Sequence, residues 1–141
     1  MAQQEKKYAP LAPILAITGV FAHPVASTVL PLLVFFIFYW RKMERAQLIA
    51  LRAADLAFTA QMFIVTVSLI FLGIFSIYPV TEQVAHRLFT LTTVVVLLYV
   101  LVSLLIGTVQ AFRGKSFTYF LSLKIAERIF NSVRKNNSTN L

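Results

Sequence analysis

The sequence has no cysteine, which excludes disulfides and thiolate metal sites. Its two histidines, His23 and His86, carry none of the HxxE or HExxH spacing that a helical metal site needs. Acid is scarce too, with five Asp and Glu against 13 Lys and Arg. Asp55 is the one acid at the edge of a long apolar run. Serine, histidine and aspartate occur, but in no order that a nucleophile and its base would require. The "RGKS" at residues 113–116 has Val109 where a phosphate-binding loop needs its first glycine. These absences predict a protein that is not an enzyme and holds no cofactor or metal.

What is present is apolar. Hydrophobic residues make up 59% of the 141-residue chain, charged residues 13%, and the mean hydropathy is +0.80. A soluble globule could not be covered by so little polar surface, so an integral membrane protein is expected. Residues 88–112 hold no charge, and about 20 such residues cross a bilayer core of roughly 30 Å. Residues 57–78 are similarly uncharged. Both are predicted to be transmembrane helices, because a spanning segment must satisfy its own backbone hydrogen bonds.

The first apolar region, residues 8–40, is too long for one straight span and too short for two with a turn. His23-Pro24 interrupts it, since the residue before a proline is pushed away from helical geometry. A short helix at 10–21, a break, and a second helix at 25–40 with a kink at Pro31 are predicted; the first element either spans or re-enters. A cleaved signal peptide is the rival, with Lys6 and Lys7 as n-region and Val20-Phe21-Ala22 as the cleavage site. Pro10, Pro13 and Pro24 stand against it.

All but one of the 13 basic residues lie before the first element, between residues 41 and 52, or after the last span. Arg87 alone falls in the connection "PVTEQVAHR", where His86 is expected as a solvated loop residue. An excess of Lys and Arg marks the cytoplasmic side. A multi-pass protein of a bacterial inner membrane with both termini cytoplasmic is therefore expected. Topology and attraction to anionic lipid account for the net charge of +8 without nucleic acid. Tyr39 and Trp40 before Arg41 form an interfacial anchor.

Two faces of small residues stand out. Ala46, Ala50, Ala53, Ala57 and Ala60 recur in steps of four and three, a pattern that lets another helix approach closely. Thr93, Val96, Val100, Ser103, Gly107 and Gln110 form a similar strip in the last span, and the two faces are paired. They are also the predicted contacts to a partner, either another membrane protein or a second copy of the chain. Arg52, Asp55, Thr59 and Thr66 form a neighbouring stripe. Its simpler placement is the wet cytoplasmic end of the helix, with Arg52 and Asp55 hydrated; the sharper one turns Asp55 inward to line a polar path. After Gly114, Phe117, Leu121, Ile125 and Ile129 recur every four residues opposite Lys124 and Arg128. That spacing predicts an amphipathic helix on the cytoplasmic leaflet or docked against the protein's own helices.

The fold class that results is an all-α helical bundle of three to four membrane helices with a C-terminal interfacial helix. Residues 1–9 form a polar tail, 10–112 the bundle (10–21, 25–40, 45–78 and 88–112), 113–135 the surface helix and 136–141 a disordered tail. The succession of "LAPILAITGVFAHPVASTVLPLLVFFIFYWRK", "AQLIALRAADLAFTAQ" and "IGTVQAFRGKSFTYFLSLKIAERI", with its "A-x-x-G-x-x-x-x-Y" from Ala111 to Tyr119, resembles a known group. These are small bacterial membrane proteins of unknown function related to the chloroplast inner-envelope protein-import translocon channel family. The chain departs from them at Arg52, Phe58 and Phe120-Leu121. The resemblance covers residues 10–130 and implies a four-helix unit in or beside a translocation complex. Two functions are compatible with these residues: a non-enzymatic accessory subunit of a larger translocation or transport complex, or a self-assembling channel or transporter with its path near Asp55, Thr59 and Thr66.

Overall fold

The computed structural model describes residues 7–78, 80–115 and 117–120, together with Ser122, Lys124, Ile125 and Arg128. Among them, four helices of twelve residues or more follow in chain order with no strand. They are α1 (Leu11–Ala22), α2 (Pro24–Trp40), α3 (Glu44–Ile77) and α4 (Glu82–Phe112). The fold is an all-helical bundle, and α3 and α4 are long and apolar enough to cross a membrane. At 1.5 Å per residue α1 and α2 are about 18 and 25 Å long, and α3 and α4 about 50 and 46 Å.

The break between α1 and α2 follows from His23-Pro24. His23 is extended at φ −165°, and its Nδ1 accepts a hydrogen bond from the Val25 N–H at 3.2 Å, while Pro24 takes the first helical position, where no N–H is needed. The chain reverses tightly here because Gly19 has no side chain. A Cβ at that position would lie 2.6 Å from both the backbone nitrogen and Cα of Ser27. Ala9, Ala12, Ala16 and Gly19 are all buried, a face of small residues that begins just before α1 and runs along it.

Between α2 and α3 the turn is closed by a Schellman arrangement. The Met43 N–H donates to the Phe38 carbonyl and the Lys42 N–H to that of Tyr39, with Lys42 at the left-handed φ of 55°. Met43 is buried. The Gln47 side chain also donates to the Phe38 carbonyl at 3.2 Å, and Gln61 Nε2 donates to Ser27 Oγ at 3.2 Å and Thr28 Oγ1 at 3.0 Å. Together these bonds set α2 antiparallel against the first half of α3.

The core lies at one end of the molecule. One cluster joins Ala9 and Ala12 of the first segment, Val34, Phe35 and Phe38 of α2, Ala46 and Ala50 of α3, and Ala111 of α4. A second joins Ala16 with Ala53, Leu56, Val100 and Leu104. Four helices therefore meet around residues 44–57 of α3 and 100–111 of α4. Beyond them the two long helices continue as a hairpin with no fully buried residue described from 58 to 99. Its partly buried positions include 60, 64, 67, 71 and 75 on α3 and 85, 92, 96 and 99 on α4, which follow the three- and four-residue steps of a helix–helix seam. The other faces are exposed Leu, Ile, Val and Phe.

Several expectations need correction. The helix α4 starts at Glu82, so His86 and Arg87 stand on its first turns, exposed, and are not loop residues. An apolar run marks where a span is uncharged, and the helix runs on past that point through residues of ordinary helix propensity. Residues 7–9 are not a free polar tail, because Ala9 is buried and Tyr8 packs on the first cluster. Residues 113–120 do not open an amphipathic helix: Lys115 and 117–119 are non-helical. Of the residues expected on that helix, Ile125 and Arg128 are helical, the Arg128 N–H donating to the Lys124 carbonyl at 3.0 Å, and both are exposed, as is Lys124 at a positive φ; Leu121, Ile129 and the tail at 136–141 lie outside the described residues.

Candidate functional site

The end of α4 builds the site. Gly114, at φ 73°, closes a second Schellman arrangement: its N–H donates to the Ala111 carbonyl and that of Lys115 to the Gln110 carbonyl. A left-handed residue here turns the chain back along the bundle instead of onward. Phe117 comes to rest half-buried, and its carbonyl accepts a hydrogen bond from Arg52 Nη1 at 3.4 Å. Tyr119 follows, 2% exposed, in the cluster formed by Ala16, Ala53, Leu56, Val100 and Leu104. Its ring meets that of Phe117 edge to face, 5.3 Å between centroids.

Gly107 makes room for that ring. A Cβ there would overlap Tyr119 Oη and lie 2.9 Å from Cζ and 3.0 Å from Cε1. Burial pushes the Tyr119 phenol well above its ordinary pKa, a rise that the nearby Arg52 charge partly offsets. The hydroxyl is accordingly neutral at any physiological pH.

Asp55 stands one turn beyond Arg52 on α3 and is 4% exposed. The hydrated position favoured from its place in the chain is not the one it occupies. Four helices converge on this part of α3, and the α1–α2 hairpin covers a stretch that chain order alone leaves bare. Arg52 is half-buried. No buried side-chain oxygen or nitrogen among the described residues lacks a hydrogen-bond partner, as the cost of isolated polar groups requires. Thr59 Oγ1 donates to the Asp55 carbonyl at 2.6 Å, and Thr66 Oγ1 to that of Met62 at 2.8 Å. Thr66 is exposed on the outer hairpin, two turns from Thr59. The stripe of four is thus divided: Arg52 and Asp55 belong to the packed end, Thr59 lies at its border, and Thr66 is outside it.

The small faces are filled from within. Ala46, Ala50, Ala53 and Ala57 are buried and Ala60 partly so. Ala53 shares its cluster with Val100 and Leu104, and Ala46 and Ala50 share theirs with Ala111. Ser103 and Gly107 are buried and Gln110 half-buried. Three features went unread in the sequence. The Ala9, Ala12, Ala16, Gly19 stripe has the same three- and four-residue spacing that disclosed the α3 face. Gln47 and Gln61 bind across helices, which polar residues inside an apolar segment commonly do. Tyr119 as a core residue carries no periodic signal, because it reaches the core from a turn.

Among the described residues, no three His, Asp or Glu side chains gather as a metal site would need. The chain matches no known protein family, no characterised protein and no solved structure.

Proposed function

We propose that this is a non-enzymatic, multi-pass protein of the bacterial inner membrane that serves as an accessory subunit of a larger membrane complex. The observation that carries the reading is the division of α3 and α4 into a packed half and an apolar, uncovered half. Exposed Leu, Ile, Val and Phe over some 20 residues of each helix suit hydrocarbon and not water. Helix lengths near 46–50 Å match a bilayer with its headgroup layers, about 40–45 Å. At the packed end Lys7, Arg41, Lys42, Arg45, Arg113 and Lys115 are all exposed and Glu44 is the acid among them, which favours anionic lipid on the cytoplasmic side. The far end carries Glu82, His86 and Arg87.

In this frame α1 and α2 form a re-entrant hairpin. Neither is long enough to cross the core, and together they flank only the half of α3 next to the basic end. Because the chain has no cysteine, single cysteines report topology without background. Thr81→Cys and Lys42→Cys, labelled in intact cells, should react from opposite sides; reaction of Thr81→Cys from the cytoplasm overturns the orientation. Native mass measurement of the extracted protein with its partners retained tests the subunit assignment, and a lone monomer would refute it.

The burial of Asp55 favours the second function, a channel or transporter, to the extent that a buried ionisable group within a span often serves transport. Against a path along Arg52, Asp55, Thr59 and Thr66, both threonine hydroxyls bind their own helix. The resemblance to translocon-related proteins is compatible with either role and with the four-helix unit.

A further inference from the structure

We propose that Gly114, Lys115 and residues 117–120 form a releasable strap that closes over Arg52 and the α3 face at Ala53 and Leu56, with Tyr119 seated in the gap left by Gly107. The helices around this site are held by continuous backbone ladders and by shared small faces. The strap differs in kind. It is non-helical at Lys115 and at 117–119, it is tied by the Arg52 bond to the Phe117 carbonyl at 3.4 Å, and among its described residues Tyr119 alone is fully buried and anchors it. Gly114, Lys115, Thr118 and Phe120 are exposed, Phe120 at 92%. Segments with few buried contacts and exposed backbone open at lower free energy than the elements they cover.

What such opening would uncover is specific. Tyr119 shares its cluster with Ala53 and Leu56 of α3, and Arg52 holds the strap directly. Strap release therefore frees the Arg52 guanidinium from the Phe117 carbonyl and removes the aromatic wall over Ala53 and Leu56. The device stands on the packing of the base and holds whether or not the long helices cross a bilayer.

Gly107 provides the test. Gly107→Ala sets a methyl group against the Tyr119 hydroxyl first and its ring second, so the substitution should expel the strap, and Tyr119→Phe in the same chain should readmit it. The reporter is Ala53→Cys, beside the seat; the control is Ala50→Cys, equally buried but in the other cluster. Reaction of each with a soluble maleimide is followed in the purified full-length protein. Gly107→Ala should raise the rate at position 53 by at least about tenfold, since labelling tracks the open population and loss of an aromatic anchor shifts it by more than an order of magnitude. The rate at position 50 should stay unchanged, and Tyr119→Phe should bring position 53 back toward the parent. Tyr119→Ala adds no bulk and should give the same rise, which keeps the test sound if Gly107→Ala folds poorly. An unchanged rate at position 53 in both variants, a parallel rise at position 50, or no reversal by Tyr119→Phe each overturns the strap.

Discussion

Gly19→Ala should destabilise the protein although alanine is the better helix former. The added Cβ would sit 2.6 Å from the Ser27 nitrogen and Cα and 2.8 Å from the Ala26 carbonyl carbon. All three are backbone atoms, so no rotamer change relieves the overlap. Carbon contacts are comfortable near 3.5–4.0 Å, so α1 and α2 must part by about 1 Å. Such overpacking costs about 1–3 kcal/mol. Ser27 is also the acceptor for Gln61, and moving it weakens a hydrogen bond worth about 1 kcal/mol. Helix propensity returns about 1 kcal/mol, which leaves a net loss near 2 kcal/mol. Gly73→Ala is the matched control: nothing lies within 4 Å of a Cβ there, so only the propensity gain of about 1 kcal/mol applies. The two variants should differ by roughly 3 kcal/mol, or about 10 °C in unfolding midpoint for a chain of this size, read from the helical circular dichroism signal in one detergent. A Gly19→Ala midpoint at or above that of Gly73→Ala would refute the close packing of the α1–α2 hairpin.

Ala53→Leu, at a position with no exposure, should cost about 1–3 kcal/mol by overpacking, while Ala60→Leu, half-buried at the border of the packed end, should cost less than half as much in the same unfolding assay. Lys42→Gly should raise the midpoint, because Lys42 holds a left-handed φ of 55° that costs an ordinary residue about 1 kcal/mol and glycine almost nothing.

Much of the scaffold could be read from periodicity. The break at His23-Pro24 follows from proline sterics, and the alanine steps on α3 announced a face that does pack closely. What escaped reading depends on contacts between segments distant in the chain. The burial of Asp55 is the clearest case. On α3 alone, an acid about three turns past Arg45 belongs in water, and nothing local shows that α1, α2 and α4 pack around this stretch of the helix. Tyr119 escaped for a related reason. A four-residue apolar period from Phe117 fits an amphipathic helix, yet Gly114 turns the chain back first, and Gly107, seven residues earlier, leaves the gap that Tyr119 fills. A glycine in an apolar helix signals close approach but does not say of what. The start of α4 was misplaced because hydropathy falls at Arg87 while the backbone ladder does not depend on it.

The filled alanine face also reshapes the accessory-subunit assignment. If Ala46, Ala50 and Ala53 were the docking surface for a partner, that partner would have to displace α1, α2 or α4, each of which buries part of that surface within the same chain. Removing helices from a face with almost no exposure opens cavities on both sides of the contact, and cavities are penalised in proportion to their volume. An association that leaves the monomer folded must use what is still outside: the bulky residues of the outer hairpin and the exposed side of α2, such as Leu33, Phe36 and Trp40. Bulky apolar surface in a bilayer gains little by leaving lipid for another apolar surface, because lipid tails are as apolar as leucine. Association through it therefore needs shape matching or polar bonds to add specificity. Thr66, Gly73 and Ser76 are exposed on the outer half of α3, and the Thr66 and Ser76 hydroxyls already bond to carbonyls one turn back, at 2.8 and 2.7 Å. The internal alanine contacts thus work as the glue of the monomer, and substitutions there should act first on folding and only through folding on assembly.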